Sequence, residues 1–163
     1  MLDTLFALFD QIDRAAVVLR DEMNTFHVVA TRQKGAGTAT LSVMRISTSL
    51  IQFVQREGKA VLSADTAHDD RFSGRESIVG AAGRSIMCAP LLAKEDFLGV
   101  IYLDTESLTK PFRHNDLNLL QGIAGQHSRG FIKSLVAGGP APPEIVIIHG
   151  RQIIVDERVS VDH

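Results

Sequence analysis

Apolar positions in this chain recur with two different periods, and the changes between them mark its elements. Leu2, Leu5, Phe6, Phe9 and Ile12 lie on one face of a helix ending near Asp13. Ala15 to Arg20 is small and β-branched, which predicts a strand. A polar turn over Asp21 to Asn24 leads to a returning strand, Phe26 to Arg32. Gln33 to Thr40 is a flexible connection, and Leu41 to Arg45 a short extended segment. Leu50, Ile51, Phe53 and Val54 then form the apolar side of a helix over Ser47 to Glu57. Ser47 or Ser49 caps it, and Gly58 ends it. Lys59 to Asp65 follows as an edge strand.

The densest apolar stretch runs from Ser85 to Leu103. Two strands, Ser85 to Leu92 and Phe97 to Leu103, are broken by Lys94, Glu95 and Asp96, which predicts an antiparallel hairpin. Neither strand alternates cleanly, so both of its faces are expected to be covered. Asn115 or Asp116 can cap a last helix running to about Leu135, with Leu117, Leu120, Ala124, His127, Phe131 and Leu135 on one stripe. Leu119, Ile123 and Ile132 widen that stripe enough to touch two surfaces. The pattern predicts an α+β fold with an antiparallel sheet of five or six strands. The terminal helices cover one face, and the Ser47 helix and loops cover the other.

A domain over residues 1–136 gives way to a Gly/Pro linker over 137–143 and a hairpin-like tail over 144–163. The tail reads as two short strands around His149-Gly150. Such a hairpin is marginal alone and must dock or pair.

Composition narrows the chemistry. A net charge of −2 with scattered signs argues against nucleic acid, which wants a basic stripe. No apolar run approaches the ~20 residues of a membrane span, so no membrane partner is expected. The first residues carry acids and make no signal peptide. One cysteine, Cys88, excludes an internal disulfide and a zinc site built on several thiolates, and suits a reducing cytoplasm. Cys88 lies mid-strand with no adjacent base and is expected to be a core residue. His68, Asp69 and Asp70 are read as a solvated turn, not a metal site.

Several strings carry a resemblance to a known family. SIMCAPLL, a turn, LGVIYLD, Phe112 and DLNLLQGIAGQ, preceded by ISTSLIQFVQREGKAVLSAD and RFSGRESIV, resemble a GAF domain over roughly Leu2 to Leu135. The match looks most like the bacterial signalling subgroup found beside forkhead-associated domains, adenylate cyclases and sigma-54 activators. The resemblance implies a GAF/PAS-like sheet and a regulatory module that senses a small ligand or engages a signalling protein. It implies no catalytic residue and no metal, and it leaves any cofactor unknown. A ligand-free dimerisation module is the alternative. A third reading is an enzyme, since one branch of the family reduces free methionine sulfoxide, but that branch works with several cysteines.

In the family the stretch that corresponds to Thr66 to Gly83 often lids the ligand cavity. The resemblance therefore implies a pocket walled by Phe72, Ile78 and Val79, with Arg71 and Arg84 able to hold an anion. Cyclic nucleotides are not expected. Asp104-Thr105 stands where the nucleotide-binding branch has Asn-Lys. Phe112 and Asp116 keep that branch's spacing, but Leu117 replaces its glutamate. Surplus apolar surface on the terminal helices predicts a homodimer through Leu2, Phe6, Phe9, Ile123, Phe131 and Ile132.

Overall fold

A computed structural model of the chain describes residues 1–35, 44–66, 69, 84–107, 109–136, 146–149 and 152–155. The side chains of 44, 45, 127–136 and the two last strands lie outside that description. The elements run α1 (Leu2–Leu8), β1 (Arg14–Arg20), β2 (Phe26–Gln33), β3 (Met44–Ser47), α2 (Thr48–Glu57) and β4 (Val61–Ser63). They continue with β5 (Ser85–Ala93), β6 (Asp96–Thr105), α3 (His114–Val136), β7 (Val146–His149) and β8 (Gln152–Val155).

The central hairpin β5–β6 lies inside a five-stranded antiparallel sheet of order β2-β1-β6-β5-β4. Its strands alternate between two cores, as a period of two requires. Val18, Ile86, Cys88, Val100 and Tyr102 face α2, where they meet Leu50, Ile51 and Val54. Val17, Met87, Ala89, Ile101 and Leu103 face the other way, onto Leu5, Phe9, Phe112, Leu120 and Ile123 of the terminal helices and their flanks. Both faces are covered, as the unbroken apolar character of β5 and β6 predicts.

Local chemistry sets the helix boundaries. The Ser47 hydroxyl accepts the Leu50 amide at 3.2 Å, so Ser47 and not Ser49 is the cap. Gly58 closes α2 in the left-handed region at φ 63°. At α3 the Asp116 carboxylate reaches back to the Arg113 amide at 2.8 Å, the reciprocal half of a capping box. The predicted first helix is too long. It stops at Leu8, and Phe9 is extended at φ −119°. Phe9 and Ile12 still enter the core, but from irregular backbone.

Gly99 sits where β6 crosses β1. A Cβ placed there would lie 2.0 Å from the Val18 carbonyl oxygen, so only glycine allows this approach. β7 and β8 pair antiparallel. β8 pairs with β3, giving a second sheet of order β3-β8-β7. No helix among the described residues is long and apolar enough to cross a membrane.

Candidate functional site

Polar side chains gather at one end of the sheet, on the face that α2 covers. Ser63, Ile86, Asp104 and Arg14 stand in a row across β4, β5, β6 and β1, each paired in register with the next. Asp104 is the penultimate residue of β6, directly after the apolar run over residues 100–103, and its side chain has no exposed surface. Neighbouring donors satisfy its carboxylate. Arg14 donates Nε at 2.9 Å to Oδ1 and Nη2 at 2.8 Å to Oδ2. Arg84 donates Nη1 at 3.3 Å, and the Tyr102 hydroxyl donates at 3.2 Å.

Burial pushes the Asp104 carboxyl up from the usual carboxylate range. The hydrogen bonds and charge of Arg14, then the charge of Arg84 and the Tyr102 hydroxyl, oppose that push. Burial also pulls the Arg14 guanidinium down, but its bond to Asp104 and the charge of Asp104 outweigh this and hold it above its ordinary value. Burial is the main reason that the Tyr102 phenol is pushed up, with the Asp104 charge second.

Two serines complete this end of the sheet. Ser63 is 3% exposed, and its hydroxyl has no hydrogen-bond partner among the described residues. It lies on the α2 side, two residues from the core residue Val61. Ser85 points to the opposite side. Its hydroxyl donates to the Ser63 carbonyl at 3.2 Å and accepts the Phe112 amide at 3.1 Å.

The predicted site residues are scattered between what is described and what is not. Arg71, Phe72, Ile78 and Val79 lie outside the described residues. Arg84 is half-buried, and its guanidinium is shared between Asp104 and Glu106. The apolar dimer residues are largely spent within the chain. Phe9 and Ile123 are buried in its own core, and Leu2 and Phe6 pack half-buried against that core. The surplus surface inferred for Phe9 and Ile123 is thereby corrected. Phe131 and Ile132 lie on α3, with side chains outside the description. On the terminal helices the larger apolar exposure falls on Leu8 at 50% and Leu119 at 44%.

Cys88 has no exposed surface, and burial pushes its thiol above the ordinary value of 9.0. A thiol so placed is neither a nucleophile nor a metal ligand near neutral pH. Among the described residues, no cluster of His, Cys, Asp and Glu can hold a metal ion. His68 and Asp70 lie outside the described residues. His27 places its Nε2 2.7 Å from Asp21 on the exposed β1–β2 turn. A shallow recess of about 290 Å³ lies elsewhere, between Asp10, Gln11, Lys110, Arg113 and Asp116.

Sequence reasoning did not single out Arg14, Tyr102, Ser63 or Ser85. The available signal was charge at strand ends: β1 opens on Arg14 and β6 closes near Asp104, each beside apolar runs.

The GAF domain family matches residues 2–129, and the chain belongs to that family. No curated protein matches it. Among solved structures, it is similar to a GAF domain/HD domain protein from Geobacter sulfurreducens. The two share 13% identity at a TM-score of 0.63, over 82% of this chain and 88% of that one. The GAF domain of a two-component sensor histidine kinase from Bacillus halodurans is 15% identical at a TM-score of 0.60, over 84% and 95%. A type II free methionine-R-sulfoxide reductase from Thermoplasma acidophilum is 12% identical at 0.58, over 78% and 84%. At these identities the likeness is one of fold.

Proposed function

We propose that this GAF domain is a non-catalytic regulatory module of bacterial signal transduction, which senses a small ligand on the α2 side of its sheet. The observation that carries the reading is Ser63. A buried hydroxyl without a partner costs about 1–3 kcal/mol, and a ligand that bonds to it removes that cost. The implied pocket has Phe72, Ile78 and Val79 as walls, with Arg71 at its rim. Arg84 is committed to two carboxylates, which supports a neutral or weakly charged ligand over a cyclic phosphate. Native mass spectrometry of the purified protein tests the proposal: a retained small molecule supports it, and a ligand-dependent melting shift measures its affinity.

A ligand-free dimerisation module is favoured by a different observation, the closed core that Ile51 of α2 forms with Cys88 and Tyr102 of the sheet. Native mass spectra with no adduct, and no melting shift across a metabolite panel, would select it. An enzyme is the weakest reading, because the single cysteine is sealed in the core. A homodimer through the terminal helices and a cytoplasmic setting complete the proposal.

A further inference from the structure

The sheet separates two cores, and hydrogen bonds from one short stretch of backbone lead to both of its faces. Arg84 and Ser85 are adjacent, and their side chains reach opposite faces. The Arg84 guanidinium goes to Asp104 on the α2 side and to Glu106 at the rim. The Ser85 hydroxyl goes to the α3 side, where it accepts the Phe112 amide. Phe112 is 2% exposed in the terminal-helix core, and α3 begins two residues later. The backbone around this point is also tied. Thr66 donates its amide to the Arg84 carbonyl at 3.0 Å, and Ser85 donates to the Ser63 carbonyl. Glu106 in turn donates its amide to the Asp13 carboxylate at 2.7 Å.

We propose that Ser85 is a positioning residue that couples the polar cluster around Asp104 to the first turn of α3. Because Ser85 is 3% exposed, no water replaces its two bonds. Displacing Arg84 shifts the adjoining residue, and Ser85 passes that shift to the Phe112 amide. The sensing reading supplies the use of this coupling, since a ligand on the α2 side would act through it on α3. The coupling itself needs no ligand to be measured, so the two stand or fall separately.

The test is a double-mutant cycle on the full chain, read by hydrogen exchange of the amides from Phe112 to Leu120. Arg84→Gln is expected to speed exchange there about tenfold, and Ser85→Ala at least as much. The double variant is expected to be no faster than the faster single one. Exchange unchanged by Arg84→Gln, or effects that multiply in the double variant, would overturn the proposal. If Ser85→Ala does not fold, the same cycle runs with Ser85→Cys, which keeps the volume but accepts hydrogen bonds weakly.

Discussion

Arg14 Nη2 lies 2.8 Å from the carboxylate of Asp104, 90 residues away in sequence, and Asp104 has no exposed surface. Such a pair owes its existence to geometry, since neither charge would be buried without the other. Asp104→Asn leaves Arg14 and Arg84 half-buried beside a neutral group. Loss of about 3–5 kcal/mol is expected, the cost of breaking a buried pair from one side. Urea denaturation measures it, and a loss under about 1 kcal/mol would mean that the cluster is hydrated.

Ser63→Ala is expected to act in the opposite direction on the free protein. It removes a buried polar atom with no partner among the described residues, so stability rises by about 1 kcal/mol. In the same variant, any small molecule retained by the unmodified protein should be lost. A destabilised variant would show that Ser63 already has a partner.

Stability should fall on the alkaline side. Cys88 and Tyr102 are buried, and burial raises both above their ordinary values of 9.0 and 10.0. The unfolded chain therefore loses these protons first. Their contribution is full below about pH 9 and is lost as pH rises, first through the Cys88 thiol and then through the Tyr102 phenol. Each adds a slope of about 1.4 kcal/mol per pH unit. Urea midpoints between about pH 7 and 10.5 read this directly. In Cys88→Ala the decline should begin near pH 10 instead of 9, the ordinary values of the phenol and the thiol. An unchanged onset would mean that the thiol is not sealed.

Gly99→Ala tests the approach of β6 to β1. The added carbon would meet the Val18 carbonyl oxygen at 2.0 Å, and backbone cannot step aside as a side chain can. A loss of about 3 kcal/mol or more is expected by thermal or urea unfolding, at the upper end for overpacking. A variant as stable as the parent would place the two strands further apart.

Leu119→Asp probes the proposed dimer. Leu119 is 44% exposed on α3, so the change should leave the fold of the single chain intact, as circular dichroism would show. Light scattering at tens of micromolar should show a dimer for the parent chain and a monomer for the variant. A monomeric parent would end the dimer proposal.

The fold was largely legible in the sequence because its signals are local. A serine before an apolar period, a glycine after it, and a polar break between two apolar runs each speak within a few residues. Ser47, Gly58 and the Lys94–Asp96 turn all do so. The first helix was overextended because Phe9 and Ile12 keep helical spacing while reaching the core from irregular backbone. The site was less legible. The resemblance pointed to Arg84 beside the predicted lid, but its partners Asp104 and Glu106 follow from the register of β5 on β6. Ser63 and Ser85 are ordinary serines until strand pairing puts one hydroxyl in a core and the other between two backbone groups.

The alternation of neighbours on β5 and β6 between two cores has an evolutionary consequence. Ile86 and Cys88 lie in one core and Met87, Ala89, Ile101 and Leu103 in the other, so the sheet stands between the two sets of side chains. A lineage can therefore rewrite apolar residues under α2 while keeping the packing against the terminal helices. That independence suits a scaffold that persists among solved structures at only 12–15% identity.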